Sequence, residues 1–173
     1  MLSALVAVSA GHAQVAVHEK SPETKYAFTL ASPRQTAAIL YDASDAAVVK
    51  RAAELFAADV EAVTGRRPQV TSATGETGPA VIVGTVGGSA LIRRLSELDT
   101  APLEGAWERY LIQTVANPLP GIRKALVIAG SDRRGAAYGL FTLSELIGVS
   151  PWYWWADVPV KKHAALHVDA PPT

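Results

Sequence analysis

The 173-residue sequence contains no cysteine. Disulfide bonds, thiol nucleophiles and cysteine-ligated metal or iron–sulfur sites are therefore excluded. An excess of charge of one sign is also missing, because sixteen basic and sixteen acidic residues cancel to a net charge of zero. Without a basic stripe, a nucleic-acid partner is disfavoured, since such partners are held largely through phosphate contacts.

Hydrophobic runs long enough to cross a membrane are missing as well. The apolar residues 1–13 are fewer than the roughly 20 that a bilayer span requires. Their small residues end at Ala13, which predicts a secretory signal peptide cut after that residue. The signal is incomplete, because no Lys or Arg precedes the apolar stretch, and a plain N-terminal strand or helix is the alternative. We expect a periplasmic or extracellular protein without a membrane span.

The length and composition suit one globular domain. Apolar residues make up 49% of the chain and charged residues 18%, which is enough for one core but not for two ordinary domains. After the signal peptide, we predict a leading segment over residues 14–36. One α/β domain follows over residues 37–162, and a linker over residues 163–173 ends the chain.

Short apolar runs alternate with helical patterns inside the predicted domain. The clearest helix spans residues 49–63, where apolar side chains recur at helical spacing; Ser44 or Asp45 is the expected cap and Gly65 the expected stop. The pattern predicts an α/β (α+β) fold, a two-layer sandwich in which a mixed β-sheet carries about three helices on one face. The other predicted elements are strands at 37–41, 69–71, 80–83, 107–115 and 125–129, helices at 89–98 and from 132 to 147, and one short strand near residues 26–30 in the leading segment.

The last of these helices has distinct start and stop signals. Gly135 and Gly139 lie four apart on one side, and such small residues let a helix approach a neighbouring strand closely. An acidic side chain at the helix start also complements the helix dipole. The residues predicted to cap or end this helix are Ser131, Asp132, Gly148 and Pro151.

An aromatic run follows the helix and contains three of the four tryptophans of the chain. In an extended conformation, Trp152 and Trp154 point one way while Tyr153 and Trp155 point the other, so both faces need a cover. One interpretation is a sugar platform in which Asp157 accepts hydrogen bonds from hydroxyl groups. The other is burial between this domain and a neighbouring one, since large aromatics supply much apolar burial at interfaces.

Other chemical signatures are weak. The glycines between residues 84 and 88 match neither the dinucleotide nor the P-loop spacing, so we interpret them as a structural turn. His163 and His167 have a metal-pair spacing but no third ligand nearby. Asp132 and Asp157 are the only carboxylates near the aromatic run, and Asp132 is better explained as a cap. We predict no catalytic residue, metal or cofactor in this chain.

Five motifs together resemble the N-terminal domain of glycoside hydrolase family 115, the xylan α-1,2-(4-O-methyl)glucuronidases. The two strongest are GSDRRGAAYG at residues 130–139 and SELIGVSPWYWWADVP at residues 144–159. The resemblance covers about residues 37–162. The three supporting motifs are KRAAE at residues 50–54 leading to Thr64-Gly65, IVGT at residues 82–85, and the pair Trp107-Glu108.

This resemblance implies a small α/β domain like those that precede the barrel in α-glucuronidases and β-hexosaminidases. Family members continue into a (β/α)8 barrel that carries the catalytic residues, and we expect this chain to end about where the first barrel strand begins. It implies an accessory domain, inactive alone, that buttresses the missing barrel of an enzyme acting on glucuronoxylan or xylo-oligosaccharides. The alternatives are a free-standing carbohydrate-binding module that uses Trp152–Trp155, and a gene remnant.

Overall fold

The computed structural model describes residues 15–72, 75, 78–150 and 159–172. Its main sheet has five strands: β3 (Ala38–Tyr41), β4 (Val70–Thr71), β5 (Ala80–Thr85), β6 (Tyr110–Leu119) and β7 (Ile122–Gly130). They lie in the order β4-β3-β5-β7-β6, in which β4, β3, β5 and β7 are parallel and β6 is antiparallel to β7. This is the mixed sheet predicted from the sequence.

Two long helices cover one face of this sheet. Helix α1 (Ala47–Thr64) buries the predicted apolar stripe, and Gly65 ends it in the left-handed conformation at φ 75°. Helix α3 (Arg133–Leu146) packs beside α1 on the same face. Because side chains alternate along a strand, Val81 and Val83 of β5 face these helices while Ile82 faces away.

The third helix, α2 (Ala90–Arg93), differs from the prediction in two respects. It is four residues long rather than ten, because after Arg93 the chain tightens into turns in which Leu95 N–H donates to the Ile92 carbonyl at 3.1 Å. It also packs on the opposite face of the sheet, with Leu91 and Ile92 against the Ile82 side. The mixed sheet with three helices is confirmed, but the helices do not all share one face.

A second, three-stranded antiparallel sheet was not predicted, although the short strand expected near residues 26–30 is one of its strands. Its order is β1-β8-β2, formed by β1 (Ala16–His18), β2 (Ala27–Ala31) and β8 (Leu166–Asp169). Phe28 and Val168 from this sheet are fully buried in the core that α1 and α3 also share. Residues 163–173 therefore do not form a simple linker, because β8 is the central strand of this sheet.

The carboxyl group of Asp59 lies on α1 beside α3. Burial raises its pKa, and the Ser144 side chain of α3 partly offsets this rise. A raised pKa in the folded state means that the contribution of Asp59 to stability is complete below its unfolded pKa and is lost as pH rises through the folded value. We expect Asp59→Asn to increase the free energy of unfolding at pH 7 by about 0.5 kcal/mol and to have little effect near pH 3, as measured by urea denaturation.

The second sheet contains one histidine, His167, whose pKa is shifted by its surroundings. His167 lies directly opposite His18, and its Nδ1 is 3.1 Å from the Thr29 hydroxyl oxygen. Burial and, to a smaller extent, the charge of His18 lower the pKa of His167 below 6.5. Its contribution to stability is therefore present above pH 6.5 and is lost as pH falls through the folded value. We expect thermal denaturation between pH 7.5 and 5 to show a smaller decrease in Tm for His167→Gln than for the parent chain.

Candidate functional site

The parallel strands β3, β5 and β7 end at one edge of the main sheet, where ligands of open α/β sheets usually bind. Two carboxylates tie the turns at this edge together. Asp42 accepts from the Ala90 N–H at 2.6 Å, and Asp45 accepts from both the Thr85 N–H at 2.7 Å and the Thr85 hydroxyl at 2.8 Å. The sequence predicted Ser44 or Asp45 as the cap of α1, but neither residue caps it: Ala46 is the N-cap and makes no side-chain bond. These acids are structural bridges.

The start of α3 is fixed by one carboxylate that uses both of its oxygens. Oδ1 of Asp132 accepts from the N–H groups of Arg134 at 2.8 Å and Gly135 at 2.9 Å, which caps the helix. Oδ2 accepts from the Glu108 N–H at 2.8 Å. These hydrogen bonds lower the pKa of Asp132, with the one from Gly135 contributing most. Asp132 therefore stays ionised and is unsuited to general-acid chemistry.

The glycines of α3 place the helix directly against β6 and β7. A Cβ at Gly135 would lie 2.1 Å from the backbone oxygen of Arg109, and one at Gly139 would lie 2.5 Å from Ile128 and 3.2 Å from the Tyr110 ring. The close approach that their spacing predicts is present in the structure. Beyond the helix, Gly148 adopts a φ of 103°, which favours glycine.

A cleft of about 460 Å³ opens beside the start of α3. Trp107 lines it and exposes 83% of its surface. Arg133 and Arg134 line it as well, and Arg134 is held by an ion pair with Glu108 at 2.5 Å. Glu108 itself has a φ of 56°, an uncommon conformation for a non-glycine residue that is often associated with functional or turn positions.

Some of the predicted site residues are described by the structure and some are not. The described ones are Ser131, Asp132, Gly135, Gly139 and Gly148. Outside the described residues lie the aromatic run with its acid and the residue before it: Pro151, Trp152, Tyr153, Trp154, Trp155 and Asp157. Their predicted role in sugar binding or domain contact stays a prediction.

Ser131 has a different partner from the one expected. Its hydroxyl oxygen accepts from the Arg109 N–H at 3.0 Å, and its own N–H donates to the Arg109 carbonyl at 2.8 Å. Ser131 thus joins β7 to the start of β6, and Asp132 alone caps the helix.

The exposure of Trp107 was missed by sequence reasoning. The sequence predicted a strand that starts at Trp107, yet β6 begins three residues later at Tyr110. No sequence signal marks this difference, because no propensity rule predicts the positive φ of Glu108 that the structure shows next to Trp107.

Metal ligands and membrane-spanning helices are the two remaining features of the part of the chain that the structure describes. No three His, Asp or Glu residues there come close enough to hold a metal ion, and His163 instead contacts Glu19 at 3.0 Å. No helix in these same residues has the length and apolar character needed for a membrane span.

No protein-family model and no curated protein matches the sequence. Solved structures do match. A GH20 β-N-acetylhexosaminidase from Streptomyces coelicolor A3(2) is 16% identical, with a TM-score of 0.44 over 89% of this chain and 25% of that chain.

A stronger match is a family GH115 4-O-methyl-α-glucuronidase described as specific for decorated arabinogalactans. It is 32% identical to this chain, with a TM-score of 0.60 over 83% of its length. The present chain spans only 18% of that enzyme. The resemblance predicted from the motifs is thereby confirmed: the chain has the fold, and 32% of the aligned residues, of one part of a glycoside hydrolase of family GH115.

Proposed function

We propose that this chain is the N-terminal accessory domain of an exported glycoside hydrolase that removes 4-O-methylglucuronic acid from xylan. Its role is to buttress a catalytic barrel that lies outside this chain and to line the rim of the pocket. The observation that carries this proposal is the match of 83% of the chain to 18% of a 4-O-methyl-α-glucuronidase. A domain-sized match of this kind favours a shared part of a larger enzyme over a complete one.

The chemistry of the described residues agrees with an accessory role. Glycosidases generally use two carboxyl groups facing each other across the bond that is cleaved, one of them able to donate a proton. At the sheet edge, Asp132 is ionised and engaged by three N–H groups, while Asp42 and Asp45 bridge neighbouring turns. These acids hold the fold, so we assign the hydrolytic step to the barrel.

The polymer that carries the sugar is a separate question. The motifs suggest glucuronoxylan, whereas the similar solved enzyme is described as specific for decorated arabinogalactans. Both polymers would supply the same 4-O-methylglucuronic acid. We therefore propose this acid as the sugar that is removed, and xylan rather than arabinogalactan as the polymer that carries it.

Complementation in trans tests the proposal. The chain is added to a GH115 enzyme lacking the matching part, and release of 4-O-methylglucuronic acid from glucuronoxylan and from arabinogalactan is measured. We expect the chain to restore release at least tenfold, and on glucuronoxylan more than on arabinogalactan. A folded chain that restores nothing on either polymer contradicts the accessory role.

The second candidate is a free-standing carbohydrate-binding module in which Trp152–Trp155 form the platform. The observation that favours it is the concentration of three tryptophans in four positions. It requires saturable binding of xylo-oligosaccharides that is lost in both Trp154→Ala and Trp155→Ala. Calorimetry of the chain alone therefore separates this candidate from the first, which needs the barrel for its effect.

A further inference from the structure

Trp107 is exposed to an unusual degree. It shows 83% of its surface to solvent, whereas the next most exposed large apolar side chains of the described residues, Tyr138 and Phe141, show 42%. Leaving an indole in water forgoes much of the stabilisation that its burial would give. The ring lines the cleft beside α3 and is exposed, so it is accessible to a ligand.

Among the described residues, the charges around this cleft leave one cation, Arg133, without an ion-pair partner. Of the two acids that line it, Asp132 is engaged by three backbone N–H groups and Glu108 is paired with Arg134. Arg133 lines the same cleft, is exposed, and forms no ion pair with any residue in the described ranges. Its planar guanidinium is suited to bidentate contact with a carboxylate.

The helix end itself does not form this site. Two of the first N–H groups of α3, those of Arg134 and Gly135, already donate to the Asp132 carboxylate. The contacts that we assign to a ligand are therefore those of two side chains that line the cleft, the apolar Trp107 ring and the Arg133 cation. That combination suits a molecule that is flat and apolar on one side and anionic at one end.

We propose that this cleft binds a uronic acid residue of a glycan chain. The pyranose ring stacks on the Trp107 indole and the sugar carboxylate pairs with the Arg133 guanidinium, while the ion pair to Glu108 holds Arg134, which also lines the cleft. The choice of a uronic acid rests on the proposed function, because the substrate of that enzyme carries this sugar.

Indole N–H signals in two-dimensional NMR test the proposal on the whole 173-residue chain. The four tryptophans give up to four indole signals, and Trp107→Phe identifies the one from Trp107. The probes are a glucuronic-acid-bearing xylo-oligosaccharide, its methyl ester and the unsubstituted oligosaccharide. We expect the Trp107 signal to shift saturably with the acid, and the other two probes to bind at least tenfold more weakly.

Two variants and their controls locate the contacts. Trp107→Ala and Arg133→Gln should each weaken binding of the acidic oligosaccharide about tenfold. Phe141→Ala and Arg66→Gln remove an exposed aromatic and an exposed arginine elsewhere on the surface, and should change binding less than twofold.

Three results would overturn the uronic acid site. The first is a folded chain whose Trp107 indole signal does not shift with the acidic oligosaccharide. The second is a Trp107 signal that shifts equally with the acid and with its methyl ester. The third is a Trp107 signal that shifts only when a barrel domain is added. The last assigns the surface to a protein contact. Each leaves the complementation assay free to succeed, so failure of this site and failure of the proposed function can be told apart.

Discussion

Replacing Gly135 by alanine is expected to lower the free energy of unfolding by about 3 kcal/mol or more. The new Cβ would lie 2.1 Å from the Arg109 carbonyl oxygen, which is backbone and cannot rotate away. That carbonyl also accepts the Ser131 N–H at 2.8 Å, so displacing it would break a link between β6 and β7. Urea denaturation followed by circular dichroism measures the loss.

Gly87→Ala is the matched control. A Cβ at Gly87 would meet nothing within 4 Å, so the same chemical change should alter stability by less than about 1 kcal/mol. Equal effects of the two substitutions would mean that α3 does not lie as close to β6 as the structure shows.

Removing the Asp132 side chain has the second largest expected effect. Asp132→Ala leaves the N–H groups of Glu108, Arg134 and Gly135 without their acceptor, and we expect a loss of about 2–3 kcal/mol. This loss in the free energy of unfolding exceeds that for an ordinary helix cap, because the same carboxylate also accepts a hydrogen bond from the backbone N–H of Glu108.

The charge of Asp132 gives this prediction a pH dependence. Its pKa is lowered in the folded state, so its ionic contribution is present above the unfolded pKa of about 3.8 and is lost as pH falls through the lower folded value. Asp132→Asn keeps one acceptor oxygen and should lose about half as much stability at pH 7. The difference from the parent chain should shrink below pH 3.8, and a constant difference from pH 7 to pH 2.5 would contradict the role of the charge.

The elements that were predicted correctly are those whose residue pattern lies within the element itself. The stripe from Val49 to Val63 and the stop at Gly65 predicted α1, and Asp132 predicted the start of α3. The buried runs predicted β3, β5 and β7, because a strand covered on both faces is continuously apolar.

Elements stabilised by distant partners could not be predicted in this way. Strand β8 is only four residues long, and its partners β1 and β2 lie more than 130 residues earlier in the chain. Nothing near Leu166 shows that such partners exist, so the segment was interpreted as a linker. The face on which α2 packs was unpredictable for a similar reason, since it depends on the crossover between β5 and the rest of the sheet.

The candidate site was predicted only in part. The cap at Asp132 and the close approach at Gly135 followed from residue type and spacing. The cleft depends instead on the conformation of Glu108, which turns the backbone so that Trp107 stays in solvent while Glu108 reaches Arg134. This backbone conformation of Glu108 is set by tertiary contacts, among them the hydrogen bond from the Glu108 N–H to Asp132 at 2.8 Å.

The accessory-domain account is tested most directly by a domain exchange in a GH115 4-O-methyl-α-glucuronidase. Residues 15–172 of this chain replace the matching 18% of that enzyme, and release of 4-O-methylglucuronic acid is compared with the parent enzyme and with a deletion of the same part. We expect the chimera to keep at least a tenth of the parent activity and the deletion to keep less than a hundredth. A soluble, folded chimera no more active than the deletion would contradict the account.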